Sequence, residues 1–575
     1  MINPLIKSII DTVGRQTGGS PDEIESMIAI PKESDLGDYT LPCFKFSKTL
    51  RKAPAVIAQE LASYFEENPQ FRKVESVNGY LNFFVDRRAF VQYIIEVYLP
   101  QKESIGKLSI GTNQRVIVEF SSPNIAKPFG VGHLRSTVIG HALANLYANG
   151  GYEVIRINHL GDWGTQFGKL ITAFELWGIE SELEKNPIKH LYELYVKFHQ
   201  VSAQDSSLED SARQWFKKLE AGDSRAQSYW RHFRELSLRE FEKIYTRLGV
   251  HFDHYTGEAF YSDKMEECIR QIEAKGITSI SEGALIVDLN DQQLTPCLLR
   301  KSDGATLYAT RDLSAALYRW DQYHFDKNIY VVGSAQALHF QQLFAVLKKM
   351  EFPWAAHCIH IPFGMILGIS TRKGTLVFLE DVLDEARDQA KTIIQEKQDE
   401  FPALDLTADK IAISAIIFQD LSNRRIKDIE FNLQKMISFD GDTGPYLLYT
   451  LVRIQSVFKK VMAQQGKTGS IENVIDSPTY LPAWEDLINE EALELIKLIP
   501  RFETALENAM QQNEPSILAN YLIDVGHQFN RFYHSNRVLS GEQSVSVARL
   551  YLLRILYHLL HNGLRILGLQ PIERM

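Results

Sequence analysis

The sequence predicts a multidomain α/β protein: a parallel-sheet domain in mid-chain, an α+β unit before it and an all-α bundle after it. Three observations predict this. Residues 116–158 read strand, loop, helix, strand, the signature of a βαβ unit that opens a parallel sheet. Helical patterns at the N-terminus and at PAVIAQELASYFEEN surround short strand-like runs within the first 105 residues. From about residue 380 onward the periodicity is almost wholly helical. A length of 575 residues, at roughly 150 residues per domain, accommodates about three or four such parts.

Taken in order, the first unit covers 1–105 and includes the strand-like GYLNFFV at 79–85. Within it Lys45, Lys48 and Lys52 fall at i, i+3 and i+7 beside Arg51; if that segment is helical they share one face. Such a face is either simply solvated or a contact for a nucleic-acid backbone. KLSIGTNQ (107–114) reads as a linker. Val116 to Phe120 is a buried-strand run, and the loop SSPNIAKPFGVG leads into a helix from about His133 to Ala148. Asn149, Gly150 and Gly151 stop that helix, and EVIRIN (153–158) is the next strand. Residues of about 175–255 are charged amphipathic helix, an insertion. GALIVDL (283–289), TLYAT (306–310) and NIYVVG (328–333) are expected as later strands of the same sheet. The resulting domains are 1–105, 106–379 with the insertion, and 380–575.

Composition removes several classes. Hydrophobic residues at 45% and charged residues at 23% leave no large disordered fraction. Lys+Arg 62 against Asp+Glu 72 gives −10, which argues against a wholly basic nucleic-acid coat but leaves room for a local basic face. Cys43, Cys268, Cys297 and Cys358 contain no CxxC pair, so no disulfide framework and no zinc site are expected, and a reducing compartment fits. Lys7 and Asp11 interrupt the N-terminal apolar positions, and no targeting peptide is read there. The apolar run at 550–567 carries Arg554, His558, His561 and Arg565, so it reads as a core helix and no membrane contact is expected.

The densest chemical signal is the loop SSPNIAKPFGVGHLRST at 121–137. A strand that feeds a glycine-containing turn onto a helix N-terminus favours phosphate, because free backbone N–H groups and the helix dipole face it. Gly132 would let a base or ribose approach without a Cβ, His133 sits at the first helical turn, and Lys127 adds a positive charge. The dinucleotide fingerprint fails because Arg135 stands where its third glycine belongs, and the chain contains no GxxxxGK[ST]. A sharp strand-to-helix turn capped by a histidine would need no ligand at all.

Six segments in order resemble one family: the 121–137 loop, LGDWGTQFG (160–168), SDGATLYATRD (302–312), YVVGSAQALHFQQLF (330–344), GISTRKGT (368–375) and GDTGPYLLY (441–449). Together they resemble the arginyl-tRNA synthetases of class I, and the likeness extends from GYLNFF to QFNRFYHSNRVL (528–539). The resemblance implies a class I Rossmann-type catalytic domain, an N-terminal tRNA-contacting domain and a C-terminal anticodon-binding bundle. It implies an enzyme that joins ATP and arginine into arginyl-adenylate and passes arginine to the 2′-hydroxyl of the terminal adenosine of tRNA(Arg). ATP is then the cosubstrate, Mg2+ accompanies it, and a cytoplasmic monomer is expected.

The resemblance also implies roles. Lys127, Gly130, Gly132, His133, Ser370 and Arg372 would contact ATP, with Lys127, His133, Arg372 and Lys373 assisting catalysis. His133 matches the second histidine of the HIGH signature, whereas Gly130 replaces the first. Gly368 to Arg372 is a degenerate KMSKS, and Lys127 occupies the place of a lysine thought to compensate. Glu119 and Asp312 would accept the guanidinium, whose planar fork needs paired carboxylates. Tyr308 would pack on the substrate, and Asn124, Gln336, Ser122 and His133 would surround its amino-acid end. Asp162-Trp163-Gly164 either lines the adenosine site or only turns the chain, and His339 either supports the site or touches adenosine. In the C-terminal segment Phe529, Arg531, Tyr533 and Arg537 join Lys45, Lys48 and Lys52 as tRNA contacts. Gly130 supports the rival reading, a synthetase-like tRNA-binding protein with impaired adenylation. A nucleotidyl transferase without tRNA would leave both terminal domains unexplained.

Overall fold

The computed structural model describes residues 4–574 except 30, 32, 34–35, 369–377, 398–400, 402, 465–481 and 541–543. It divides into two compact units, one of residues 1–106, 453–504 and 524–562, the other of 107–452, 505–523 and 563–575.

The first unit contains an α+β portion and helices from the C-terminal part of the chain. Helix α1 (Pro4–Thr17) precedes strand β1 (Tyr39–Pro42), helix α2 (Pro54–Ser63), strands β2 (Phe71–Val77) and β3 (Tyr80–Val85), and helix α3 (Arg87–Tyr98). The strands form an antiparallel sheet in the order β1-β3-β2. Asn78 and Gly79 join β2 to β3 with φ of 51° and 82°, the Asn-Gly pair that a two-residue hairpin prefers. Phe65, Phe71 and Phe83 close the core with ring centroids 5.0 to 5.7 Å apart.

Lys45, Lys48 and Lys52 do not share a helical face. Cys43–Phe46 is a short 3-10 turn, Ser47–Leu50 a single α turn, and Arg51 then takes a left-handed conformation with φ of 53°. Lys52 lies beyond that break and pairs with Glu60 at 2.7 Å. All three lysines are exposed.

The second unit carries the parallel sheet. Strand β4 (Arg115–Glu119) leads through helix α4 (Leu134–Asn149) to strand β5 (Glu153–Ile157), the expected βαβ unit. Helices α5 (Thr165–Trp177), α6 (Pro187–Ser202), α7 (Ser207–Glu220) and α8 (Ser224–Leu248) follow as the insertion. Strands β6 (Thr278–Ser281), β7 (Ala284–Val287) and β8 (Cys297–Arg300) precede helix α9 (Tyr308–Tyr323). Strand β9 (Lys327–Gly333), helix α10 (Ala337–Lys349) and strand β10 (Cys358–Phe363) complete the layer, and helix α11 (Leu404–Leu421) packs on α4. The sheet order is β10-β9-β4-β5, with every pairing parallel. Val116, Ile117 and Val118 are fully buried, as a strand covered on both faces requires. Helix α4 approaches this layer closely because residue 140 is glycine: a Cβ there would fall 2.2 Å from that of Phe120.

Two strand expectations need correction. GALIVDL joins an antiparallel meander, β6-β7-β8, separate from the parallel sheet. The two-residue turn Glu282-Gly283 has φ of 51° and 78°, a hairpin geometry that cannot lead into a parallel neighbour. TLYAT contributes only an isolated bridge at Thr306, and Tyr308 begins α9. There the i, i+3 repeat of Thr310, Leu313 and Ala316, all buried, overrides five residues of alternation. NIYVVG is a strand of the sheet, in β9. The four cysteines are buried thiols without disulfides, and no described helix is long and apolar enough to cross a membrane.

Candidate active site

The carboxyl ends of β4, β5 and β9 converge, as expected where an open parallel sheet changes winding direction. Glu119 is the last residue of β4, in register with Tyr330 of β9 and Ile157 of β5. His159 lies two residues beyond β5, and Ser334–Gln336 forms a 3-10 turn between β9 and α10. Helix α9 supplies Tyr308, Asp312 and Arg319, spaced i, i+4 and i+11 along one face.

Glu119 is buried and ion-paired with Nη2 of the fully buried Arg319. Burial opposes the charge of Arg319, but Glu119 overrides it and holds the guanidinium well above its ordinary range. The ring of Tyr330 lies under that guanidinium, 5.4 Å from its carbon. Asp312 Oδ2 meets His339 Nε2 at 2.6 Å. Burial would raise the Asp312 carboxyl, yet the His339 hydrogen bond and the charges of His159, His339 and Arg319 hold it below its usual value. His339 shows the reciprocal: burial favours the neutral ring, while Asp312 and then Glu119 raise its pKa.

His159 stands between the two carboxylates. Nδ1 is 4.0 Å from Glu119 Oε2 and Nε2 is 3.8 Å from Asp312 Oδ1. Its ring stacks on Tyr261 at 5.6 Å. Behind Asp312, Glu258 pairs with Arg311 at 3.3 Å; burial pushes its carboxyl up to about 7 against the pull of Arg311. Ser122 Oγ, His159 Nδ1 and Arg319 Nε and Nη1 are buried without a hydrogen-bond partner among the described residues. Buried polar atoms without partners mark a pocket shaped for a polar ligand.

The loop beyond β4 is held in an uncommon conformation. Ser121, Ser122 and Ala126 have φ of 72°, 48° and 59°, each costing about 1 to 2 kcal/mol for a residue with a Cβ. Hydrogen bonds from α4 and from insertion helix α8 hold it there. Ser121 N donates to Ser136 Oγ at 3.0 Å, and Ala126 N donates to Ser237 Oγ at 3.1 Å. Ser121 Oγ and Tyr245 Oη lie 2.8 Å apart, and Asn158 donates to the same phenol at 2.9 Å. Asn124 bridges to Gly161, where a Cβ would fall 2.2 Å from Asn124 Oδ1.

Lys127 follows, half-buried, with Nζ 5.8 Å from the centre of the Tyr195 ring of α6. Gly130 is extended, with φ of −84°, and makes an antiparallel bridge to Phe378. A Cβ on Gly132 would meet nothing within 4 Å, so internal packing does not require that glycine. His133 occupies the N-cap position of α4 without a side-chain capping hydrogen bond, and its pKa is lowered: burial is the main cause, the Lys127 charge adds, and the Gly130 carbonyl opposes. It is therefore a neutral imidazole near pH 7.

The remaining expected residues divide. Gln336 and Tyr308 are exposed at the N-termini of α10 and α9. Ser370, Arg372 and Lys373 lie outside the described residues. Asp162 turns the chain and braces the insertion: its carboxylate accepts from Arg234 at 2.9 Å and from the Ala259 N–H at 2.8 Å. Among the C-terminal residues, Arg531 and Arg537 are exposed and Tyr533 is half-buried. Phe529 requires correction. It is fully buried with Phe532 three residues along the helix Ser516–Ser535, so its ring is core and cannot stack on a base.

Sequence reasoning missed Arg319, His159, Tyr261, Glu258 and Tyr245. One signal was available: Arg319 is a cation at an otherwise apolar helical position of α9, seven residues after Asp312. Tyr261 and Tyr245 read like any core aromatic.

Three family models match the chain in succession: the arginyl tRNA synthetase N terminal domain over 2–85, tRNA synthetases class I (R), catalytic domain over 95–433, and the DALR anticodon binding domain over 447–575. A protein of Halothermothrix orenii named arginine–tRNA ligase is 44% identical over 574 residues, covering 99% of both chains. One of the same name from Clostridioides difficile is 45% identical over 560 residues, covering 97% of both. The solved arginyl-tRNA synthetase of Plasmodium falciparum superposes with a TM-score of 0.79 at 25% identity, covering 100% of this chain and 99% of that one. The Thermus thermophilus structure gives the same fold, with a TM-score of 0.79 at 23% identity over 100% of both chains.

Proposed function

Because the chain belongs to the class I arginyl-tRNA synthetases, we propose that the groups gathered at the carboxyl ends of β4, β5 and β9 carry out its two-step reaction. It is an arginine–tRNA ligase that uses ATP, arginine and tRNA. Full-length kinship with arginine–tRNA ligases favours this over a tRNA binder that has lost adenylation.

The observation that carries the site reading is the convergence of Glu119 and Asp312 on His159, at 4.0 and 3.8 Å. Two carboxylates that close to one flat ring can accept from a planar guanidinium. Ser122, Asn124 and Gln336 surround the amino-acid end, with Tyr308 over the side chain. In the first step the arginine carboxylate attacks the α-phosphorus of ATP and pyrophosphate leaves. Negative charge grows there, so positioning and fixed positive groups supply the catalysis. Lys127 offers that charge, and neutral His133 offers an N–H that leaves the charge balance unaltered. Ser370, Arg372 and Lys373 join the ATP contacts by motif position. In the second step the 2′-hydroxyl of the terminal adenosine attacks the arginyl carbonyl and AMP leaves.

Mg2+ travels on the phosphates. Such an ion is held mainly by substrate oxygens and water. The exposed Lys45, Lys48, Lys52, Arg531 and Arg537, with Tyr533, hold tRNA. We read the protein as a cytoplasmic monomer, and the four unpaired thiols suit a reducing compartment. The domains run 1–105, 106–379 and 380–575.

Pyrophosphate exchange with each amino acid, with and without tRNA, tests this. Arginine alone is expected to support exchange. Glu119→Gln and Asp312→Asn should each weaken arginine use by several kcal/mol, about a thousandfold, because a buried donor loses its acceptor. Wild-type arginine kinetics in both variants would remove the pocket assignment.

A further inference from the structure

Asp312 already has a partner in this structure, one whose pKa its carboxylate raises. His339 Nε2 is 2.6 Å from Oδ2, and the imidazole stands at the N-terminus of α10, beside the sheet end that carries Glu119. The groups facing it come from every neighbouring element: Asp312 and Arg319 from α9, Glu119 from β4, His159 after β5, Tyr330 from β9 and His360 from β10, with Tyr261 and the Glu258–Arg311 pair behind Asp312.

Counting charges over the two closest ion pairs, Glu119–Arg319 and Asp312–His339, gives a definite result. Glu119 and Asp312 supply two negative charges; Arg319 and a protonated His339 supply two positive ones, and the cluster is neutral. A guanidinium brought between Glu119 and Asp312 makes it positive at a site walled on one side by the buried Glu119, Arg319 and Tyr330. Such an imbalance is relieved by whichever group sheds its charge most readily. Arg319 cannot, being fully buried against Glu119. His339 can.

We propose that His339 is a specificity-determining positioning residue whose proton is exchanged for the substrate's guanidinium, so that arginine binding releases one proton. This rests on the reading of Glu119 and Asp312 as the arginine pocket. The step is balanced: the protonated site plus the arginine cation gives the arginine-bound site plus a proton delivered to solvent. The proton leaves from Nδ1, and the Nε2–H stays on Asp312, so the carboxylate keeps its orientation while its full charge turns to the guanidinium. A neutral side chain of the same shape would gain nothing from that exchange, which adds to the selection for a cation.

The direction of the pH effect follows. The carboxylates around His339 raise its pKa before arginine enters, and the guanidinium lowers it afterwards. Asp312 is held below the usual carboxylate range and stays ionised throughout. Between the two His339 midpoints, arginine affinity therefore weakens about tenfold for each unit that pH falls.

Isothermal titration of the full-length protein with L-arginine, in phosphate and in Tris at one pH between 6 and 8, measures the proton directly. The expected result is a binding enthalpy that differs between buffers by close to one proton's worth of ionisation heat at the acid end. His339→Gln, which keeps an N–H for Asp312 but cannot titrate, should bind arginine without the one-proton buffer dependence and without the tenfold-per-unit pH slope, leaving only the smaller linkage of Glu258. Equal wild-type enthalpies in the two buffers, or a His339→Gln protein that still releases the proton, would overturn the proposal. If His339→Gln binds no arginine, 13C-histidine NMR of the wild type decides: a His339 midpoint that falls with arginine supports the proposal and an unmoved one overturns it. Arginine binding without proton release removes this inference alone. Absence of any arginine binding by the wild type removes the pocket reading with it.

Discussion

Lys127 shows how one charge serves two distances. Its ammonium lies over the Tyr195 ring at 5.8 Å, within the range where a ring face attracts a cation, and its field also helps keep His133 neutral. A lysine on a half-buried loop, steadied by a ring but paired to no described carboxylate, can turn its charge to a phosphate. Lys127→Ala should therefore slow adenylate formation about tenfold to a hundredfold, the usual consequence of removing one fixed electrostatic contact. It should weaken tRNA binding by less than twofold. Single-turnover adenylation and filter binding measure the two, and the opposite pattern would assign Lys127 to tRNA. Gly130 gives no side chain to this work, and its extended backbone bridged to Phe378 makes its contribution to the loop structural.

At the level of elements, the loop after β4 depends on a helix more than 100 residues away. Ser121, Ser122 and Ala126 are left-handed, and the hydroxyls of Tyr245 and Ser237 on α8 meet that loop at 2.8 and 3.1 Å. Tyr245→Phe removes the phenol from Ser121 and Asn158 together and leaves both buried groups without it, at a cost of about 1 to 3 kcal/mol. The expected outcome is a lower melting temperature together with adenylation slowed about tenfold or more, since small displacements of positioned groups cost rate steeply. A destabilised variant with an unaltered rate would show that the loop keeps its shape unaided. This dependence was not legible in the sequence, where Tyr245 is one aromatic on an amphipathic helix. Legibility followed the range of the interaction. The βαβ unit, the helix stop at Asn149–Gly151 and the glycine loop are local patterns, and the structure has them where the sequence predicts. The antiparallel placement of 284–287 depends on pairing across a turn, and five alternating residues at 306–310 lose to the longer helical repeat behind them. Glu119 and Asp312 are singled out by their motifs, and the structure has both beside His159. Arg319 and His159 are not, because what singles them out is proximity to carboxylates far away in sequence.

For the molecule as a whole, a net charge of −10 must coexist with a polyanionic partner. Lys45, Lys48, Lys52, Arg531 and Arg537 are exposed, and all five belong to the first unit. Placing these candidate contacts on one unit of an acidic protein gives binding that is electrostatic yet reversible, because each phosphate contact releases a counterion that salt can restore. Lys52 already has a partner in Glu60 and would exchange one surface ion pair for another, so its contribution should be the smallest. Arg531 and Arg537 flank Tyr533, whose ring packs at 5.3 Å from Arg453 and at 5.6 Å from the buried Phe529. Among Phe529, Phe532 and Tyr533, Tyr533 is thus the one with an exposed portion, and the proposed base contact falls to it, with the arginines proposed for the backbone beside it. Replacing Arg531 and Arg537 with alanine should reduce the slope of log Kd against log salt for tRNA by about one per arginine. Arginine-dependent pyrophosphate exchange at saturating tRNA should hold. Lys52→Ala should leave the slope within about a third of a unit of wild type. An unchanged slope in the double arginine variant would move the anticodon-side contact elsewhere on the helices, whereas a loss of exchange at saturating tRNA would show that those arginines transmit binding to the catalytic unit.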